Sequence, residues 1–291
     1  RRKDLINRGG EKISCDEIEN LVFGLSQVKQ VSVVAMADPA FAQCATTTAP
    51  DGTVTLACRD TITSSNINHN GNNPSTIANY QAIEAPLNVT INSGATISRW
   101  GLIIYNGTQP ASATARPLDV VNNGTVSHTV GWDDPSESDG LNIGSNSGSI
   151  RYSGNGRVST NGTANASANF VGSTALVLYA SGLGHSVTFG SQAAPVSAMF
   201  SGEGGIRMVA ENGRLDAWFA GGTITATRRD NGVGALDIQA ADSINLSMTG
   251  GTVVNGGISV SLTAGPGHNS ASSLLTITTD ARVTYGYSAG A

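Results

Sequence analysis

Few side chains in this sequence are of types that make or break bonds, and their spacing limits what they could do. The cysteines are Cys15, Cys44 and Cys58, with no C-x-x-C pair, so the usual basis for structural zinc is missing. Cys44 and Cys58 flank a short polar segment with a turn signal at Pro50-Asp51-Gly52, so a disulfide between them is sterically reasonable in an oxidising compartment. Cys15 is left over. His69, His128, His185 and His268 share no H-E-x-x-H or i+4 relation and read as solvent-exposed loop residues. Gly286-Tyr287-Ser288-Ala289-Gly290 fits G-x-S-x-G, but a nucleophile elbow needs a helix after its serine and no helix-forming sequence follows Ser288. No Gly-Lys pair occurs, which excludes a Walker loop.

Carboxylates offer two further possibilities. Asp133, Asp134, Glu137 and Asp139 cluster after Trp132 and supply oxygen ligands, a weak calcium candidate. Their spacing does not follow the twelve-residue calcium loop, so a solvated projecting loop is the expectation and no metal or cofactor is assigned. Asp216, Arg214, Arg228, Arg229 and Asp230 are the source from which a polysaccharide-acting groove would draw its acids and cations. Trp100, Trp132 and Trp218 could mark a sugar-stacking face or serve as partly buried anchors. Six N-x-S/T sequons, at Asn88, Asn106, Asn123, Asn161, Asn165 and Asn245, matter only in a host that glycosylates them.

The elements that would position these groups are short strands. Leu87-Asn88-Val89-Thr90-Ile91 is followed by Asn92-Ser93-Gly94, and Leu118-Asp119-Val120-Val121 by Asn122-Asn123-Gly124. The same alternation, closed by small polar residues, recurs at Ser149-Ile150-Arg151-Tyr152, Ile206-Arg207-Met208-Val209, Ala235-Leu236-Asp237-Ile238 and Leu274-Leu275-Thr276-Ile277. Second short strands follow at Ala95-Thr96-Ile97, Thr125-Val126-Ser127 and Arg157-Val158-Ser159. Asn-Gly turns favour antiparallel hairpins locally. The long recurrence, equivalent Thr, Ser and Asn positions and scarce aromatics instead favour coils stacked with side-chain ladders. The expected fold is mainly β, a right-handed parallel β-helix over about residues 60–290, with a short N-terminal α+β fragment.

Composition narrows the function classes. The chain has 291 residues, net charge −5, 13% charged and 39% apolar residues, and 36 glycines. A quarter of residues would ordinarily be charged, so the surface is polar without being ionic. An acidic balance disfavours nucleic acid, which needs clustered Lys and Arg. No run of about 18 apolar residues is present to form a transmembrane helix.

The composition breaks near residue 42. Residues 1–42 hold Lys3, Lys12 and Lys29, every lysine of the chain, whereas the later 249 residues carry twenty-two asparagines. Ser14 and Glu17 form a capping-box pattern ahead of Ile18, Leu21 and Val22, a helix signature, and Val28 to Met36 reads as a strand. Two domains are therefore expected, 1–42 and 43–291. Ala40-Phe41-Ala42 has the A-x-A form that precedes signal-peptidase cleavage.

Each part resembles a known family. The run from Arg1 to Ile13, followed by Asp16-Glu17-Ile18-Glu19, resembles the start of the C-terminal subdomain of aryl-acid (2,3-dihydroxybenzoate type) AMP ligases over about residues 1–39. That resemblance implies a hinge at Lys3, a phosphopantetheine-facing loop through Gly9, Gly10 and Lys12, and a cytoplasmic origin. The family's adenylation lysine has no counterpart, because no lysine follows Lys29, so the fragment is expected to be non-functional. Residues 43–291, with repeated N-(S/N)-G-x-(T/V)-(I/V) turns, resemble autotransporter passengers. This implies a secreted or outer-membrane-surface protein that contacts host-cell or matrix surfaces, with glycans among the candidate partners, without catalysis. It also implies a membrane β-barrel in the full-length protein, which these residues do not include.

Overall fold

The computed structural model describes residues 5–8, 11–14, 44–63, 79–82, 85–98, 101–106, 116–129, 139–160, 174–227, 234–262 and 274–284. The chain divides into two compact units, Arg1–Ala42 and Gln43–Ala291. In the first, β1 (Leu5–Arg8) and β2 (Glu11–Ser14) form an antiparallel pair with Asn7 opposite Lys12. The helix expected after Ser14 and the strand expected over Val28 to Met36 lie outside the described residues.

The second unit is a parallel β-solenoid, and no helix occurs among the described residues. Sheet I stacks β4 (Val54–Cys58), β7 (Leu87–Ile91), β10 (Leu118–Asn122), β13 (Ile150–Ser153), β16 (Val187–Phe189), β19 (Leu215–Ala220), β22 (Ser243–Thr249) and β25 (Leu274–Thr279). Sheet II stacks β5 (Thr61–Thr63), β8 (Thr96–Ser98), β11 (Thr125–His128), β14 (Arg157–Thr160), β17 (Met199–Gly202), β20 (Thr223–Ala226), β23 (Val253–Asn255) and β26 (Arg282–Thr284). Sheet III stacks β6 (Asn79–Ala82), β9 (Leu102–Asn106), β12 (Leu141–Ser145), β15 (Thr174–Ala180), β18 (Gly204–Ala210), β21 (Leu236–Ala240) and β24 (Ile258–Leu262). Chain order visits sheets I, II and III in turn, so β4 to β24 make seven three-strand coils among the described residues, and β25 and β26 begin another.

Alternation explains why these segments fold this way. Successive side chains of a strand point to opposite faces, so every second residue enters the core. Leu87, Leu118, Ile150, Val187, Leu215 and Ile244 align as one buried column of sheet I. Leu102, Leu141, Leu176, Ile206 and Leu236 form the matching column of sheet III. Each such side chain contributes about 1.5–3 kcal/mol relative to exposure, and only adjacent coils supply the cover. Mid-stack the core turns aromatic: Tyr152 stacks on Phe189 with ring centroids 5.2 Å apart, and Phe189 meets Phe219 at 4.6 Å.

The Asn-Gly turns do not close hairpins here. Asn122 points inward, accepts the Gly124 N–H at 3.1 Å and donates to the Tyr152 hydroxyl at 3.2 Å, bending the chain from sheet I into sheet II. At another such corner Gly222 has φ +80°, and a Cβ there would strike the Ala198 carbonyl of the coil beneath. One antiparallel pairing does occur in this unit: β3 (Ala45–Thr48) covers the outer edge of β4. At the opposite end Leu275 and Ile277 continue the inward columns of Ile244 and Leu246 but are 47% and 48% exposed.

Candidate functional site

Parallel register gives each outward position its own straight column, and function must be sought on those columns. Sheet II carries Ser127, Ser159, Ser201, Thr225 and Asn255 in line over five coils, with the Asn255 amide donating to the Thr225 hydroxyl at 3.3 Å. This is a neutral polar ladder.

Sheet I carries Asn88, Asp119, Arg151, Thr188, Asp216 and Asn245. Arg151 lies 3.5 Å from Asp119, and Arg214 lies 2.9 Å from Asp216. Asp119 and Asp216 stand three coils apart, about 14 Å at the usual strand spacing. Glycoside hydrolysis needs two carboxyls roughly 5–9.5 Å apart, so this pair does not make such a centre.

Sheet III brings together the densest set of different chemistries. One outward column runs Ile103, Asn142, Val177, Arg207, Asp237 and Ser259. The column beside it runs Tyr105, Gly144, Tyr179, Val209, Gln239 and Ser261. Gly144 stands between two tyrosines and is itself buried, and the Cδ2 edge of Tyr105 stands 2.8 Å from where a Cβ at Gly144 would be. The glycine therefore lets the Tyr105 ring lean over the next coil. Tyr179 is 38% exposed, and its hydroxyl donates to Glu211 at 2.8 Å. Partial burial, with the Glu211 carboxylate beside it, pushes the Tyr179 phenol up to about 12, so it remains a neutral donor.

The polar groups on this face hold one another in place. Arg207 approaches Asp237 at 3.5 Å, and the Gln239 amide donates to Asp237 at 3.2 Å. Just outside the columns, Asp139 accepts the Thr174 N–H and the Asn142 amide, both at 2.9 Å. Burial pushes the Asp139 carboxyl up to about 6, against those two hydrogen bonds and the more distant Arg207 charge.

The residues singled out from sequence fall as follows. Cys44 and Cys58 are joined by a disulfide, with Cα atoms 4.1 Å apart. Lys12 stands in β2, whereas Lys3, Gly9 and Gly10 lie outside the described residues. Asp133, Asp134 and Glu137 also lie outside them, so the structure describes Asp139 alone of that cluster. No group of three or more acids, histidines or cysteines suited to a metal ion occurs among the described residues. Arg228, Arg229 and Asp230 lie outside the described residues, as do Trp100, Trp132, His69, His268 and Gly286 to Gly290. Trp218 is a half-buried outward residue of β19.

One expectation is corrected, and one sequon is ruled out as an acceptor in the folded chain. His128 is not an exposed loop residue: it shares the inward face of β11 with Val126 and is fully buried, which pushes its imidazole below the usual range. Asn106 cannot serve as a glycosylation acceptor in the folded chain. It is buried, and its amide donates to the carbonyls of Ala85 and Arg116, both at 3.1 Å. Alternation along the strand carried the signal in both cases. The sheet III face was missed because its tyrosines lie 74 residues apart and only the register makes them neighbours.

No family model matches the chain, and no solved structure matches it. Similarity to curated proteins is confined to short stretches. A salicylyl-CoA synthase / salicylate adenylyltransferase from Streptomyces sp. is 53% identical over 55 residues, 18% of this chain and 10% of that protein. Pyochelin synthase PchD from Pseudomonas aeruginosa is 58% identical over 38 residues, 13% of this chain and 7% of that protein. The chain thus spans a tenth or less of the length of these relatives.

Proposed function

We propose that this is a secreted or cell-surface protein of the autotransporter-passenger type, in which the β-solenoid adheres to host-cell or matrix surfaces by contact and performs no catalysis. The observation that carries the reading is the set of straight outward columns. On them Asp119, Asp237 and Asp216 are paired with the partly exposed Arg151, Arg207 and Arg214, and Asp119 and Asp216 stand too far apart to act together. Such a surface supports shallow contacts repeated along the stack, unlike the concave pocket that small-molecule chemistry needs. The Cys44–Cys58 disulfide supports an exported location, since such bonds persist in oxidising compartments.

Beads coated with the protein should attach saturably to host cells or matrix, and a form lacking residues 1–42 should attach equally well. Loss of attachment with that deletion would move the activity to the first unit; no attachment by either form would reject the reading. The short likeness to adenylating enzymes favours a second reading, a remnant of an aryl-acid AMP ligase in residues 1–39. Its test is pyrophosphate exchange driven by aryl acids, which we expect at background because no lysine follows Lys29.

A further inference from the structure

We infer that the outward face of sheet III is a binding shelf for a neutral, linear polysaccharide lying along the solenoid axis, with sugar rings stacked on Tyr105 and Tyr179. The inference rests on the surface-contact reading and names the site and the ligand class for it.

Three observations converge on this face. First, the tyrosines share one column two coils apart, about 10 Å at the strand spacing, with Gly144 between them. A pyranose ring has an apolar face of C–H groups that packs on an aromatic ring. The Tyr105 ring leans over Gly144 towards the coil of Tyr179, so a chain of such rings can rest on the two tyrosines in succession. Second, the neighbouring column supplies planar amide, carboxylate and guanidinium groups, each able to bond vicinal hydroxyls. Asn142 is held by Asp139 and Asp237 by Gln239, so these groups are fixed before a ligand arrives.

Third, the charge of the face selects among glycans. Asp139, Asp237 and Glu211 stand against one guanidinium, that of Arg207. A sulfated or uronic-acid polymer would meet net negative charge here, whereas an uncharged hexose polymer would meet only hydrogen-bonding groups. The hydroxyl ladder of sheet II lacks an aromatic surface among its described positions, and the acid–base pairs of sheet I are not flanked by a tyrosine pair. Sheet I offers one outward ring, Trp218 beside Asp216, whereas sheet III carries two rings in one column among the described residues.

The test is calorimetric titration of the full chain with β-1,4-glucan and β-1,4-N-acetylglucosamine oligomers of two to six sugars, with heparin fragments as the polyanionic control. We expect neutral oligomers to bind, with affinity rising sharply at the length that first covers both tyrosines. Tyr105→Ala and Tyr179→Ala should each weaken the hexamer roughly tenfold and abolish that step. Tyr179→Phe, which keeps the ring, should stay within about twofold of the parent. Unchanged melting of the variants would tie the loss to the shelf.

Equal binding by the parent and both alanine variants would overturn the shelf while leaving the contact reading in place. Heparin binding without neutral-oligomer binding would overturn it too. Failure to bind any glycan, with bead attachment to cells retained, would point to a protein receptor and reject the ligand class. Failure of both assays would reject the contact reading as well.

Discussion

Replacing Asp139 by Asn should stabilise the solenoid at neutral pH and do nothing at acid pH. The Asp139 carboxyl is raised from 3.8 to about 6, mainly by burial. A carboxyl that titrates higher when folded favours the folded state only while it is protonated. Its relative contribution is therefore greatest below pH 4, falls as pH rises from 4 to 6, and is lost above that. The separation corresponds to a penalty of about 3 kcal/mol at pH 7. Asparagine removes that charge yet keeps one oxygen for the Thr174 N–H, and the Asn142 amide can turn to present its own oxygen. Repacking offsets part of the gain, leaving about 1–2 kcal/mol, or roughly 2–8 °C in melting midpoint for a unit of this size. Calorimetric midpoints of both proteins at pH 4, 5, 6 and 7.5 would measure it, and taking the difference between them cancels every other titrating group. A difference that stays flat across this range, or an Asn variant less stable at pH 7.5, would refute the reasoning.

Cys58→Ala should destabilise the second unit by roughly 3 kcal/mol, because the crosslink closes a short loop with a sequence separation of 14, and chemical denaturation with and without reductant checks it. His128 and His185 are both pushed below the usual imidazole range by burial, so the stability they provide is complete above pH 6.5 and is lost as pH falls below it. His128→Gln should accordingly flatten the loss of melting midpoint between pH 6.5 and 5. Deleting residues 1–42 while keeping Cys44 should leave the midpoint of the solenoid within about 3 °C, since neighbouring coils supply its cover; a larger drop in thermal melting would show that the first unit contributes to the stack.

The fold was legible because alternation and turn chemistry are local. Leu87-Asn88-Val89-Thr90-Ile91 became β7 without adjustment, and Thr125-Val126-Ser127 became the body of β11. The third strand was read in two coils, at Ile206 to Val209 and Ala235 to Ile238, and was harder to read in others. Strands such as Thr174–Ala180 and Leu102–Asn106 are adjoined by stretches whose polar composition carries no fixed period, so a two-strand unit was apparent where three exist. Asn-Gly pairs pulled the reading toward hairpins, and only the corner geometry at Asn122 and Gly124 shows that such a turn can hand the chain to a different sheet. The surface was least legible of all. Tyr105, Gly144 and Tyr179 acquire meaning through register across coils, and register is a property of the assembled stack. His128 erred in the other direction: its type suggested a loop, but its place two residues after Val126 put it in the core.

The most direct measurement is made on a single preparation of the full chain, passed over immobilised host matrix and neutral glycans and assayed in parallel for pyrophosphate exchange with aryl acids. Saturable binding to the surface with exchange at background is the predicted result. Exchange above background without surface binding would contradict the account.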